Sequence, residues 1–142
     1  MPKIIIDASV VLKWFSPEPK AQLALQVYAA IKQGKLIATA PIFLLVEVMN
    51  ILVHKKHVEA DLVRKIINKI STCGITFEDL VTEHIAQLQQ IVATHKVSAY
   101  DGLYLLSAQN HECQILTEDK ELLKLPEITI GLEELTTMFE SN

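Results

Sequence analysis

The fold class is decided by the stretch Lys3–Asp7, which has the sequence Lys-Ile-Ile-Ile-Asp. Three consecutive β-branched residues are typical of a central strand in a parallel sheet, which is buried on both faces. Asp7 is predicted to end this strand, and residues 8–15 to form a short helix directly after it. A strand followed by a helix is the repeating unit of an α/β fold.

The rest of the chain continues this alternation. Because parallel strands need crossover connections, we expect an α/β fold, a three-layer sandwich with a short parallel central sheet flanked by helices. The length of 142 residues predicts a single domain over residues 1–142. Further strands are predicted over residues 36–39, 75–77, 114–117 and 127–130, helices over residues 21–32, 41–56, 60–72, 83–96 and 99–111, and a single turn over residues 120–125.

Half of the residues are hydrophobic, which is a high share for a soluble chain. No uncharged apolar run approaches the ~20 residues that a membrane-spanning helix needs, so we expect no membrane association. The surplus of apolar residues instead predicts a surface that binds a second subunit or a partner. Cys73 and Cys113 fit no metal-binding spacing and are expected to be reduced thiols in a cytoplasmic protein.

Four acidic residues border segments that are predicted to be buried: Asp7, Glu47, Asp101 and Asp119. Removing an ionised carboxylate from water is costly unless a positive group compensates it. Asp7 and Asp119 fall just past predicted strands, at the edge where α/β sheets place their ligands. The four residues therefore predict a shared cation, for which a divalent metal ion is the simplest choice.

Three of these carboxylates also have a purely structural explanation. Asp7 is a good cap for the helix that follows it, and Asp119 for the turn after it. Asp101 stands three residues after Ser98, which is the spacing of a capping box. For these three positions, capping and metal binding both remain open.

Glu47 is harder to explain as a structural residue, because it stands in the middle of an apolar helix between two valines. Asn50 and His54 extend a narrow polar track from it along one side of the helix, as expected if that side borders a pocket. The structural alternative is a buried Glu47 paired with a lysine.

Ser9 and Thr117 each stand two residues from one of the aspartates. Their hydroxyl groups could orient a carboxylate or a metal-bound water. Ordinary turn and cap hydrogen bonds are the alternative, and for a single Ser or Thr they are the more common role.

Basic residues are concentrated at the end of one predicted helix and along the next. Although the net charge is −4, this cluster could bind a phosphate backbone. Cations near a helix C-terminus also simply suit the helix dipole, so both explanations remain open. The cluster consists of His54, Lys55, Lys56, His57, Arg64, Lys65 and Lys69.

Four segments together resemble the PIN domain family, and closely its VapC-type toxin branch. They are residues 4–14 (Ile-Ile-Ile-Asp-Ala-Ser-Val-Val-Leu-Lys-Trp), 47–50 (Glu-Val-Met-Asn), 99–105 (Ala-Tyr-Asp-Gly-Leu-Tyr-Leu) and 116–119 (Leu-Thr-Glu-Asp). Each segment alone is unspecific, but they occur in order over nearly the whole chain. PIN domains are metal-dependent ribonucleases.

The resemblance implies a fold, an activity and a site. Asp7, Glu47, Asp101 and Asp119 would form an acidic Mg²⁺ or Mn²⁺ site, supported by Thr117 and Ser9, at which RNA is hydrolysed. This agrees with the preference of hard divalent cations for carboxylate oxygens.

The resemblance also implies partners. Toxins of this type dimerise and pair with an antitoxin that covers an apolar groove, so we expect an RNA substrate, a homodimer and a cognate antitoxin. Trp14, Phe15, Phe43 and Leu44 are the residues that we expect to line the groove, although each is more often plain core. The sparse basic content, with the single arginine Arg64, leaves the RNA path undefined.

Other functions remain compatible with the sequence. A PIN nuclease could act in RNA maturation or on DNA, and a degenerate PIN fold could bind protein or RNA without cleaving it. A phospho-receiver domain has a similar size and an acidic pocket at its strand ends. It requires paired acids after the first strand, however, and here Asp7 stands alone.

Overall fold

The computed structural model describes residues 1–140, and its centre is a five-stranded sheet in which every strand pair is parallel. The strand order is β3-β2-β1-β4-β5. The strands are β1 (Lys3–Ile6), β2 (Ile37–Pro41), β3 (Thr76–Glu78), β4 (Gln114–Leu116) and β5 (Thr129–Ile130).

Within residues 1–140, seven α-helices flank this sheet, and the predicted three-layer α/β fold is confirmed. They are α1 (Ala8–Val11), α2 (Ala21–Lys32), α3 (Phe43–His54), α4 (Ala60–Ser71), α5 (Ile85–His95), α6 (Ala99–His111) and α7 (Leu132–Glu140). Three short 3₁₀ helices lie at Leu12–Trp14, Thr82–His84 and Leu122–Lys124. Within residues 1–140, none of the helices has both the length and the apolar character needed to span a membrane.

The isoleucine run forms the middle of the sheet, as the sequence predicts. Ile5 and Ile6 of β1 are fully buried, and β1 pairs with β2 on one side and with β4 on the other. Because β1 and β4 are neighbours, the residues that follow them meet at one edge of the sheet. Asp7 follows β1 directly, and Thr117 follows β4.

The sequence predicts that Pro41 starts α3. In the structure Pro41 instead ends β2. The ladder continues past it, because the Ile42 amide donates to the Glu78 carbonyl at 2.8 Å. The helix α3 therefore begins two residues later, at Phe43.

The sequence does not predict the last helix, α7. Its first amide, of Leu132, donates to Glu118 Oε2 at 2.9 Å, and Leu132 and Leu135 are buried in the core. Lys20 holds the same glutamate through an ion pair of 2.8 Å. The helix thus depends on a side chain 14 residues upstream, which no local pattern predicts.

Gly102 lets α6 lie close to α5. A Cβ at this position would stand 2.9 Å from Val92 Cγ2 and 3.0 Å from Leu88 Cδ1. The helix α6 therefore approaches α5 most closely beside Asp101, whose position the helix fixes.

Candidate functional site

Asp7 is a buried carboxylate at the carboxyl end of the central strand. Its amide donates to the Leu116 carbonyl at 3.1 Å, and its side chain is only 5% exposed. One oxygen, Oδ2, accepts hydrogen bonds from Ser9 Oγ at 2.7 Å and from Thr117 Oγ1 at 2.8 Å. The same oxygen accepts from the Ser9 amide at 3.4 Å, so Asp7 also caps α1.

Ser9 and Thr117, which both donate their hydroxyl hydrogens to Asp7, also accept hydrogen bonds from the loop after β4. Their hydroxyl oxygens are 3.3 Å apart, Thr117 Oγ1 accepts from the Asp119 amide at 3.0 Å, and Ser9 Oγ accepts from the Glu118 amide at 3.0 Å. The two hydroxyl groups therefore fix Asp7 relative to the loop that carries Asp119.

Burial raises the pKa of Asp7, and the hydroxyl hydrogen bonds from Ser9 and Thr117 oppose this rise only in part. Within residues 1–140, no ion pair involves any of the four carboxylates Asp7, Glu47, Asp101 and Asp119. A buried carboxylate held by neutral hydroxyl and amide groups is therefore a place where a cation would be bound favourably.

Glu47 lies in the middle of α3 and points toward the same group of carboxylates. Tyr104 donates its hydroxyl to Glu47 Oε1 at 2.7 Å. Burial raises the pKa of Glu47 most, and the charges of Asp7, Asp101 and Asp119 raise it further, while the Tyr104 hydrogen bond lowers it. The expected lysine partner of the structural alternative is replaced by a tyrosine.

Tyr104 is a residue that the sequence analysis missed. It is fully buried, and burial followed by the charges of Asp7 and Glu47 raises its pKa, so it remains a neutral donor. The sequence does contain a signal, because Tyr104 stands one helical turn after Asp101 in an apolar helix. Asn50 and His54 of the expected polar track, by contrast, are both exposed.

Asp101 lies in the first turn of α6. Ser98 caps this helix, since its Oγ accepts from the Asp101 amide at 3.0 Å. The Asp101 carboxyl group is left to face the other acids. Burial first, and then the charges of Asp119, Asp7 and Glu121, raise the pKa of Asp101 to about 6.

Asp119 also caps a turn, because its Oδ1 accepts from the Glu121 amide at 3.2 Å. Capping and membership of the carboxylate group are thus compatible for Asp7 and Asp119, whereas the carboxyl group of Asp101 makes no capping hydrogen bond within residues 1–140. The structure brings all four predicted carboxylates close enough for their charges to repel one another.

The donor set fits a hard divalent cation by its chemistry, because it offers only carboxylate and hydroxyl oxygens. As they stand, however, no three His, Cys, Asp or Glu side chains within residues 1–140 are arranged to hold a metal ion. Side-chain movement would have to bring the carboxylate oxygens together. The mutual repulsion that raises the pKa values of Glu47 and Asp101 is consistent with such an open arrangement.

Most of the basic cluster is engaged in local contacts. Lys56 pairs with Glu18 at 3.7 Å, and Arg64 and Lys65 pair with Asp61 at 2.8 Å and 3.2 Å. Lys69 Nζ lies 5.8 Å from the centre of the Tyr28 ring. The role of the cluster in binding RNA stays a prediction. Lys55 is the lysine of the cluster that is exposed and makes no such contact within residues 1–140.

The four residues expected to line an apolar groove differ in burial. Leu44 is 0% exposed, so its expected place in a groove is wrong, because a core side chain cannot contact a partner. Trp14, Phe15 and Phe43 are partly buried and pack against the core. Trp14 is anchored further, since its Nε1 donates to the Ala24 carbonyl at 2.8 Å.

The sequence matches the PIN domain model over residues 4–128. The chain belongs to the PIN domain family. No curated protein matches it significantly. Family membership supports a nuclease, which hydrolyses phosphodiester bonds.

Solved structures share this PIN fold at low sequence identity. A protein of Pyrobaculum aerophilum is 16% identical with a TM-score of 0.75, covering 99% of this chain and 91% of its own. VapC20 of Mycobacterium tuberculosis, described as a sarcin-ricin loop cleaving toxin, is 14% identical with a TM-score of 0.68, covering 86% and 94%. A toxin-antitoxin complex from Klebsiella pneumoniae contains a chain that is 16% identical with a TM-score of 0.64, covering 89% and 96%.

Proposed function

We propose that this PIN domain is a Mg²⁺- or Mn²⁺-dependent endoribonuclease and the toxin of a toxin-antitoxin pair. The observation that carries the proposal is the group of four carboxylates at the carboxyl edge of the sheet, which repel one another and have no cationic side chain among residues 1–140 as an ion-pair partner. A cation would remove this repulsion.

Each residue of the site has a proposed role. Asp7, Glu47, Asp101 and Asp119 hold the ion, which when bound supplies a Lewis acid that polarises a phosphodiester and acidifies water. Ser9 and Thr117 orient Asp7 by their hydrogen bonds to Oδ2. Tyr104 orients Glu47 in the same way.

RNA is the proposed substrate, and the cytoplasm the proposed location. VapC20, which shares the fold, is described as cleaving the sarcin-ricin loop. The two cysteines Cys73 and Cys113 are unpaired, as in a reducing compartment.

A homodimer and an antitoxin are the proposed partners. Four exposed apolar side chains form one stripe along α3, because they are spaced four, three and four residues apart. They are Ile42, which directly precedes the helix, and Val46, Met49 and Val53. Such a stripe is typical of a surface that packs on another helix. The toxin-antitoxin complex from Klebsiella pneumoniae supports a protein partner.

The test is cleavage of a single-stranded RNA by the purified protein with Mg²⁺ or Mn²⁺, and with a chelator. We expect cleavage that the chelator abolishes and that Asp101→Asn reduces strongly. Asp61→Asn, which changes an exposed aspartate paired with Arg64 and Lys65, is the matched control and should cleave normally. Full activity in excess chelator, or cleavage of DNA alone, would contradict the proposal.

A further inference from the structure

Two aromatic side chains from the helices that carry Glu47 and Asp101 form a stacked pair. The rings of Phe43 and Tyr100 are 5.2 Å apart between centroids, and their planes differ by only 8°. Phe43 is partly buried and packs against the core, whereas Tyr100 is 63% exposed. The Tyr100 ring is thus supported by Phe43 and open to solvent.

The exposure of Tyr100 has no evident structural purpose. No hydrogen bond within residues 1–140 involves its hydroxyl group, in contrast to Tyr104, which binds Glu47. Exposed tyrosines are common, but an exposed ring held flat on a second ring presents a face on which a third flat group can stack.

The two rings belong to helices that each carry one of the carboxylates, Glu47 on α3 and Asp101 on α6. Phe43 stands four residues before Glu47 on α3, a spacing that places their Cβ atoms about 5–6 Å apart. Tyr100 directly precedes Asp101 in the first turn of α6. A phosphodiester held at the carboxylates carries a nucleoside on each side, so a nucleobase next to the cleaved bond can reach the exposed ring.

We infer that Phe43 and Tyr100 form a stacking platform for one unpaired nucleobase beside the phosphodiester that is cleaved. The inference rests on the proposed nuclease function and adds a requirement to it. A base held in a duplex is already stacked and paired, whereas a base in a loop or single strand can add to the aromatic pair. The platform therefore selects unpaired RNA with little preference for the base itself.

The experiment uses a single-stranded RNA of mixed sequence that contains 2-aminopurine, a base whose fluorescence is quenched by stacking. Binding of this RNA is measured with three proteins that all carry Asp7→Asn, which prevents cleavage. One has no other change and keeps the aromatic pair, one also carries Tyr100→Leu, and one also carries Tyr100→Phe. Cleavage is measured with Tyr100→Leu and Tyr100→Phe in the otherwise unchanged chain. Leu25→Ala, at an exposed apolar residue of α2, is the control for general surface effects.

We expect Tyr100→Leu to weaken binding and to raise KM roughly 5- to 150-fold, the effect of losing one base–aromatic stack, with a smaller change in kcat. Quenching should disappear at the same time. Tyr100→Phe keeps the ring and should behave as the unchanged chain, as should Leu25→Ala. Tyr100→Phe should melt as the unchanged chain, and Tyr100→Leu only slightly lower, because Tyr100 is mostly exposed but loses its stack on Phe43.

An abasic nucleotide provides the second test. Placed beside the mapped cleavage site, it should weaken binding in the Asp7→Asn background, yet have no further effect once Tyr100→Leu is present, because both changes remove the same contact. Full additivity of the two losses would overturn the inference. So would unchanged RNA binding by Tyr100→Leu together with an altered oligomeric state, which would make this face a protein interface.

The nuclease function and the platform fail in different ways. Normal RNA cleavage by the unchanged chain, with no effect of Tyr100→Leu, rejects the platform alone. RNA binding and quenching that depend on Tyr100, without cleavage under any divalent cation, reject the nuclease function and retain the platform as a nucleic-acid contact.

Discussion

The acidic residues of this PIN domain fall into two groups that differ in what surrounds them. Glu118 is bound by Lys20 and by the first amide of α7, and Asp61 by Arg64 and Lys65. Within residues 1–140, Asp7 by contrast accepts hydrogen bonds only from hydroxyl and amide groups, and burial followed by the charges of neighbouring acids raises the pKa values of Glu47 and Asp101. The charges of the first group are compensated by the fold, whereas those of the second group have no ion-pair partner within residues 1–140.

The largest expected effect separates these groups by activity. Asp7→Asn keeps the size of the side chain but removes its charge, so RNA cleavage should fall by more than about 100-fold, since even residues that only support a metal ligand are typically worth 10–100-fold. The kcat/KM for RNA measures this effect, and circular dichroism shows that the fold is retained. Asp61→Asn should cleave as the unchanged chain does, and equal losses in both variants would erase the distinction.

A smaller effect is expected for the hydroxyl groups that hold Asp7. Thr117→Val preserves the shape of the side chain but removes the donor 2.8 Å from Asp7 Oδ2, and should lower kcat/KM by about 10- to 100-fold. Ser9→Ala should act in the same direction. If Thr117 served only the turn through the Asp119 amide, its replacement would change the melting temperature and leave activity near normal.

The compensated group is tested by stability. Glu118→Ala removes both the cap of α7 and the Lys20 ion pair, and should lower the free energy of unfolding by about 0.5–2 kcal/mol in urea melts. Glu121→Ala, which breaks an exposed pair with Lys124, is the control and should change it by less than about 1 kcal/mol. A loss no larger in Glu118→Ala would mean that α7 does not depend on this side chain.

The smallest effect concerns pH and the metal-free protein. The pKa of Asp101 is raised to about 6, so its contribution favours folding below the unfolded pKa near 4 and is lost as pH rises through about 6. Asp101→Asn should therefore make the chelator-treated protein more stable at pH 7.5 by up to about 1 kcal/mol, the value being small because the group is half exposed. At pH 4 the variant and the unchanged chain should have nearly equal free energies of unfolding. Urea melts at both pH values measure this difference. A variant that is more stable at pH 4 but not at pH 7.5 would contradict the prediction.

The sequence predicts the elements that depend on local patterns and misses those that depend on distant contacts. The boundaries of β1, α2 and α6 agree with the structure, because an isoleucine run, the prolines before α2 and the Ser98 cap of α6 determine them locally. The position of Pro41 in β2 depends on the pairing of Ile42 with Glu78, and α7 depends on Glu118. Neither contact leaves a signal in a short window of sequence.

The candidate site follows the same rule. The four carboxylates could be predicted because the charge of an acid beside a buried segment needs a compensating positive group. The structure brings the four residues into one neighbourhood. Tyr104 was missed because a tyrosine in an apolar helix is more often core, and only the fold shows its hydroxyl beside Glu47. The platform of Phe43 and Tyr100 likewise joins two helices that are far apart in the chain.

Calorimetric titration of Mn²⁺ into the metal-free protein tests most directly whether the uncompensated acids form a cation site. We predict saturable binding by the unchanged chain and by the control Asp61→Asn, and binding weakened at least tenfold in Asp7→Asn and in Glu47→Gln, which keeps its hydrogen bond from Tyr104. Equal binding in all four proteins, or no binding by the unchanged chain, would contradict a metal site at these carboxylates.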